Sequence, residues 1–242
     1  SGGVDKFSRQ VGLALAQAGA TTYVTSRDAG KLADIERSYA ERGGVVTALQ
    51  LDLGDEASID ALRRRVLADN DGRVDILVNN AGGRLMAHWD DKDRFAQSLM
   101  VYAQGLYLMT RAFGNVMAER GGGSIINVGS IHGMIGPDAV LYEGLDLPRP
   151  VPDYFFIKGG IVNFTRFVAA HYGPSNVRCN CVSPGGLRSD RNSEAFSARY
   201  AERTFLGRMA GETDLMGTIV FLASDASAYI TGANIPVDGG YT

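Results

Sequence analysis

The stretch Val74-Asp75-Ile76-Leu77-Val78-Asn79-Asn80-Ala81-Gly82 is a short apolar run that breaks off in two asparagines and a glycine. A strand with one solvated face alternates apolar and polar residues. Ile76-Leu77-Val78 does not alternate, which is the pattern of a strand buried on both faces. Ser124-Ile125-Ile126-Asn127-Val128-Gly129-Ser130 repeats it. Upstream of the first run the periodicity predicts a helix near 9–18, a strand over 21–27, a helix near 29–42, a strand over 45–53 and a helix near 56–70. Downstream it predicts a long helix within 91–120, a helix near 155–172, a strand over 177–186, helical segments near 193–203 and 212–223, and a last strand over 234–240. Strand–helix alternation of this kind requires right-handed crossovers and a parallel sheet covered on both faces. The expected fold is α/β: a doubly wound parallel sheet in three α/β/α layers, one domain over residues 1–242, binding ligands at the carboxyl ends of its strands.

Composition agrees with one ordinary globular domain. A hydrophobic fraction of 45% and a charged fraction of 21% are those of a soluble protein. The net charge of −3 is spread along the chain, with no basic footprint for nucleic acid and no polybasic membrane anchor. No apolar run approaches the length that spans a bilayer, and the opening residues are too polar for a signal peptide, so a cytoplasmic protein is expected. Cys179 and Cys181 fall on one face of a strand, a poor geometry for bonding to each other. His88, His132 and His171 show no metal-ligand spacing with them, and no metal is expected.

Tyr154 and Lys158 place a phenol and an ammonium one helical turn apart, the sole Tyr-x-x-x-Lys in a chain with 10 tyrosines and 4 lysines. Alone, that spacing arises by chance on solvated helices. Here Ser130, Asn79-Asn80-Ala81-Gly82 and Ser183-Pro184-Gly185-Gly186 end three predicted strands at the same sheet edge, so the pair would face one crevice.

With these motifs and the closing Val237-Asp238-Gly239-Gly240, the sequence from Arg9 to Thr242 resembles the short-chain dehydrogenase/reductase family. The resemblance implies a Rossmann-type fold and hydride exchange between a nicotinamide cofactor and a secondary alcohol or carbonyl. It makes Tyr154 the general acid/base, lets Ser130 hold the substrate oxygen, and has Lys158 bind the nicotinamide ribose and tune the tyrosine. The physics is adequate. A free phenol titrates near 10, and bringing it to neutrality takes about 4 kcal/mol. One cation at about 4 Å supplies roughly that in an effective dielectric near 20.

The family usually separates serine and tyrosine by about a dozen residues, and Tyr142 lies at that distance from Ser130. Position 146 is Asp, however, so Tyr142 has no lysine partner, and Tyr154 is the choice. Residues 137–153 then form an inserted loop whose prolines at 148, 150 and 152 favour extended structure. The loop is expected to wall the substrate pocket, with Glu143, Asp146 and Arg149 as polar contacts; a solvated spacer or a subunit contact is the alternative. Similar insertions in the family go with sugar or sugar-acid substrates, which implies a polyhydroxylated small molecule.

Cofactor choice turns on the end of the strand over 21–27, the second strand of the family's pattern. Ser26-Arg27 stands where enzymes preferring NAD carry an acid, so NADP(H) is expected, with NAD as the alternative because Asp28 follows. The resemblance adds Asp52 and Leu53 near the adenine, Asn80, Ala81 and Gly82 along the adenosine ribose, and Pro184 and Gly185 at the opposite side. It also implies a homo-oligomer, tetramer or dimer, which the apolar helix faces in 99–117 and 155–172 permit; a large monomer core is the alternative account of those faces.

Two departures stand out. Tyr102 occupies the place of an asparagine that holds a relay water in the family, so either the relay is rebuilt around its hydroxyl or turnover is reduced. The opening Ser1-Gly2-Gly3-Val4-Asp5-Lys6-Phe7-Ser8 lacks the Gly-x-x-x-Gly-x-Gly turn and the strand before it. That strand is central in the family's sheet, and buried backbone groups are almost always paired. A further strand and glycine-rich turn are therefore expected between about Ser8 and Arg9. If the chain has neither, the alternative is a non-catalytic relative, a scaffold or ligand sensor with impaired cofactor binding.

Overall fold

The computed structural model describes residues 6–190 and 192–242. Helix α1 (Lys6–Gln17) leads to β1 (Thr22–Ser26), α2 (Leu32–Ala40), β2 (Val46–Gln50), α3 (Glu56–Asp69) and β3 (Ile76–Asn79). Then come α4 (Lys92–Ser98), α5 (Gly105–Glu119), β4 (Gly123–Val128), α6 (Pro152–Tyr172), β5 (Val177–Pro184), α7 (Glu194–Ala201), α8 (Met216–Ala223) and β6 (Asn234–Val237). Every strand pairing is parallel, β1 with β2 and β3-β4-β5-β6 in series. Sequence order reverses between β1 and β3, and that reversal is the switch point where open α/β sheets bind ligands.

The non-alternating strands are explained by what covers them. Ile126 and Val182 face Val11 and Ala14 of α1, Leu215 just before α8, and Ile219 and Leu222 of α8. Their neighbours Ile125 and Cys179 face the opposite layer, against Met109 and Phe113 of α5 and Val168 of α6. Ile125 and Ile126 are both fully buried, each worth about 1.5–3 kcal/mol of transfer free energy. Cys179 and Cys181 are buried free thiols on one strand face.

Local signals set the element that carries the chemistry. Pro152 starts α6, where its missing N–H would have had no helical partner. The structure differs from the sequence reading at the opening: Lys6–Ser8 lie in α1 and do not lead into a strand. The Ser8 carbonyl accepts from the Tyr39 hydroxyl at 3.1 Å. Gly2 and Gly3 lie outside the described residues. Among the described residues no helix is long and apolar enough to cross a membrane.

Candidate active site

Three strand ends and one helix form the crevice. Ser130 follows β4 by two residues in extended conformation and caps the short turn Ile131–Gly133. Its Oγ accepts from the His132 main-chain N–H at 3.1 Å, which leaves the hydroxyl proton for another acceptor. Tyr154 and Lys158 lie one turn apart on α6. The Lys158 side chain is buried, its Nζ donates to the Val128 carbonyl at 2.7 Å and lies 5.7 Å from the centre of the Tyr154 ring.

Gly82 explains how the first asparagine-glycine motif meets this lysine. A Cβ on Gly82 would stand 3.0 Å from Lys158 Nζ, so the ammonium packs closely against this backbone just beyond β3 and any side chain there would have to displace it slightly. Gly133 is similarly confined: a Cβ there would come within 2.5 Å of the Lys158 carbonyl oxygen, which holds the Ser130 turn against α6. Gly185 packs so that a Cβ would meet Asp238 Cα at 2.9 Å. These close backbone approaches bring Ser130, Tyr154, Lys158, Ala81-Gly82 and Pro184-Gly185 around one sheet edge.

Tyr102 sits in a π-helical stretch, Leu99–Gln104, between α4 and α5. Such wide turns inside helices recur at functional sites. Its hydroxyl packs against Gly83, where a Cβ would be 2.8 Å away, so Tyr102 meets the same Gly82-Gly83 loop as Lys158. Tyr142 is half-buried in the inserted loop, its ring tilted against Phe196 with centres 5.6 Å apart. Burial pushes its hydroxyl up from the ordinary tyrosine value, and nearby Arg84 opposes this. The loop is pinned to α7 and the turn after it, Arg199 donating to the Val140 and Glu143 carbonyls and Arg203, beyond the helix, pairing with Asp138 at 2.8 Å. Glu143, Asp146 and Arg149 are exposed on it.

The dinucleotide side is less uniform. Ser26 is buried and its Oγ accepts from the Asp28 N–H. Asp28 caps its own turn through Gly30 N and pairs with Lys31 at 3.5 Å. Its carboxylate is thus engaged locally, while the Arg27 guanidinium is exposed with no ion-pair partner among the described residues. Asp52 is exposed and accepts from Gly54 N, but Leu53 turns its side chain into the core and can offer a ligand only its main chain. Asn80 Nδ2 donates to Ser8 Oγ at 2.6 Å, linking the end of β3 to the first turn of α1.

Two residues matter here that sequence reasoning passed over. His132, which the sequence offered only as a stray imidazole, meets Tyr154 edge-on and Phe155 at a tilt, with ring centres 6.2 and 4.6 Å away. Burial lowers its pKa from the ordinary histidine value, so the neutral ring is favoured, and its Nδ1 is buried without a partner among the described residues. Asp153 is fully buried beside Tyr154. One carboxylate oxygen accepts from Leu85 N at 2.9 Å, Met86 N at 3.2 Å and Ser98 Oγ at 2.5 Å; the other accepts from Tyr154 N at 2.9 Å. The acid at the first turn was legible as a helix-start signal, but its partners on α4 and the loop after β3 were not. An Asp153→Ala variant leaves those buried donors without an acceptor. We expect it to lose about 3 kcal/mol, read as a fall of roughly 6–12 °C in Tm by calorimetry; an unchanged Tm would refute the role.

A family model described as "Enoyl-(Acyl carrier protein) reductase" matches residues 7–242. The chain belongs to the short-chain dehydrogenase/reductase family. As a member of that family it is an oxidoreductase with the Rossmann-type α/β fold. Among family members it is 32% identical over 237 residues to galactitol 2-dehydrogenase (L-tagatose-forming) of Cereibacter sphaeroides, covering 95% of this chain and 88% of that one. It is 34% identical over 216 residues to L-rhamnose 1-dehydrogenase (NAD(P)(+)) of Azotobacter vinelandii, covering 85% and 79%. A gluconate 5-dehydrogenase from Burkholderia cenocepacia, solved in complex with NADP and tartrate, superposes with a TM-score of 0.84 at 27% identity, covering 100% of this chain and 92% of that one.

Proposed function

We propose that this protein is an NADP(H)-preferring dehydrogenase/reductase that interconverts a secondary alcohol and a carbonyl in a polyol or sugar-acid substrate. The observation that carries the reading is the buried Lys158 ammonium, anchored by Val128 and packed against Gly82, one turn from Tyr154 and beside Ser130. The names of the galactitol, rhamnose and gluconate enzymes support the substrate class.

The residues fit a dinucleotide at the nicotinamide end, where Gly82 and Gly185 bring backbone close and Lys158 supplies a cation. When bound, the cofactor supplies or accepts the hydride; the chain supplies the proton and the orientation. Ser130, its oxygen already accepting from His132 N, donates a hydrogen bond to the substrate oxygen and keeps its proton. Tyr154 gives its phenolic proton to that oxygen as the carbonyl is reduced and takes it back in the oxidation direction. Lys158 stabilises the phenolate that is left. Tyr102 lines the Gly83 side of the crevice and, with Tyr154 and Lys158, completes the proposed catalytic set. Asp153 positions Tyr154 without touching the substrate.

Arg27 is proposed to meet the 2′-phosphate of NADP, and the local engagement of Asp28 supports this. An Arg27→Ala variant should weaken NADPH binding by about 10–100-fold, the worth of one charge-assisted hydrogen-bonded contact, and leave NADH within about twofold. Cofactor fluorescence titration reads both. Equal losses, or none, would refute the NADP preference. Exposed Met100, Tyr107, Phe156 and Phe167 on the helices of 99–119 and α6 support a homo-oligomer.

The second reading is a non-catalytic binding protein. It is favoured by the helical Lys6–Ser8 where the family carries its glycine-rich turn. Failure of both NADPH and NADH to bind would select it, and turnover of polyols, sugar acids or their keto forms would exclude it.

A further inference from the structure

His132 is an anomaly beside the reacting groups. It lies in the turn Ile131–Gly133, where its main-chain N–H holds Ser130 Oγ at 3.1 Å. The next residue, Gly133, packs so closely on α6 that a Cβ would stand 2.5 Å from the Lys158 carbonyl oxygen. The backbone under the ring is therefore fixed on both sides. The ring meets Tyr154 edge-on, centres 6.2 Å apart, and lies 4.6 Å from the centre of Phe155. A phenyl ring would suit those neighbours, yet the chain places an imidazole there and shuts its Nδ1 away from solvent with no partner among the described residues. A buried polar atom left unpaired costs stability, and one kept beside the reacting groups needs a functional reason.

The orphan nitrogen fixes the state of the ring. Burial disfavours the charged form, and no charged residue contributes to that shift, so the ring is neutral and carries one proton on one of its two nitrogens. On Nδ1 that proton would be a buried N–H with no acceptor, which is rare in folded proteins; a buried lone pair without a donor is the lesser penalty. The proton therefore sits on Nε2. That nitrogen is on the open side: His132 is half-exposed, and Nε2 is neither shut in nor hydrogen-bonded among the described residues. The result is one N–H donor on a rigid turn, the turn that also presents Ser130, beside the ring of Tyr154.

We propose that the Nε2–H of His132 donates to a second substrate oxygen, on the carbon next to the reacting one, which makes His132 a specificity-determining residue for vicinal diols and the α-hydroxy carbonyls they become. The proposal rests on the dehydrogenase reading above and narrows its substrate class. Ser130 and Tyr154 meet the reacting oxygen in that reading. The two oxygens of a vicinal diol lie within hydrogen-bonding distance of each other, so a donor two residues from Ser130 reaches the second while Ser130 and Tyr154 hold the first. An alcohol without the second oxygen leaves this donor unpaired once water is displaced, and is disfavoured. A structural imidazole would bond the turn through one of its nitrogens; neither does so among the described residues.

The test compares alcohols that differ by one hydroxyl: cyclohexane-1,2-diol with cyclohexanol, 2,3-butanediol with 2-butanol, and 2,3-dihydroxybutanoate with 3-hydroxybutanoate, each with NADP and with NAD. In the parent protein kcat/KM should favour the vicinal diol of a pair by about tenfold, the worth of one hydrogen bond. His132→Phe keeps an aromatic ring against Tyr154 and Phe155. In that variant the ratio should fall to within about twofold of one, while Tm rises by about 2–4 °C because the orphan nitrogen is gone. His132→Gln, which presents an N–H on a side chain of similar reach, should keep part of the preference. A parent with no diol preference, a Phe variant that retains it, or a Phe variant whose Tm falls by several degrees would each overturn the proposal, and turnover of these alcohols would still uphold the dehydrogenase reading. No turnover of any of them, or of the matching ketones, would overturn that reading and the proposal with it.

Discussion

A Tyr154→Phe variant will bind nicotinamide cofactor as the parent does and turn over about 100- to 10,000-fold more slowly, the usual worth of a positioned acid/base. The substitution removes one oxygen. The ring, its edge contact with His132 and its place at the start of α6 all remain, so the fold should be retained. Because the phenolic proton moves only in the transition state, kcat and kcat/KM should fall together, with KM little changed. Steady-state assays in both directions, with fluorescence titration of the cofactor, check each part. Full turnover would move the acid/base role elsewhere, and Tyr142 is then the next tyrosine to replace, since it lies near enough to Tyr154 to interact with it electrostatically. Its loop contains no lysine one turn away, which is why Tyr154 is the stronger expectation.

Replacing Lys158 with Met should do comparable damage by a different route. The ammonium is 5.7 Å from the Tyr154 ring centre. In an effective dielectric near 20, a unit charge at that separation stabilises a phenolate by about 3 kcal/mol, or roughly 100-fold in rate. Methionine keeps the length and apolar stem of the side chain but offers Val128 no donor, so a modest loss of stability, about 1–2 kcal/mol, accompanies the catalytic one. Two readouts separate this from a merely structural defect. Oxidation by the variant should need higher pH than the parent does, since the phenolate has lost its cation. Cofactor affinity should fall as well, whereas in Tyr154→Phe it should not. A variant with the parent's pH–rate profile and unchanged cofactor binding would refute the assignment to Lys158. The Asp153→Ala substitution provides the contrast, because its expected defect is in stability and in the placement of Tyr154.

The layers of this protein could be read from local sequence because the signal for them is local. Ile125 and Ile126 are adjacent, point to opposite faces and are both buried, so the run Ser124–Val128 declares a strand with helices on both sides. Tyr154 and Lys158 were legible for a similar reason, since four residues of helix bring two side chains to one face whatever surrounds them. Arg27 and Ser130 follow from strand ends in the same way. What the sequence could not display were contacts made across long separations. Asp153 meets Leu85, Met86 and Ser98, which lie 68, 67 and 55 residues away, and no periodicity connects them. Leu53 was placed beside the cofactor by position in the chain, but packing turned it inward.

Taken alone, then, the sequence determined the strand–helix alternation, the parallel doubly wound class and the serine, tyrosine and lysine at one sheet edge, because those depend on periods of two and 3.6 residues and on where strands end. Only the tertiary structure decided how closely Gly82 approaches Lys158, that the His132 main chain holds the Ser130 oxygen, and that Asp153 fastens α6 to α4. Each of these is a distance between segments remote in the chain, set by how the layers pack and not by any neighbour in sequence.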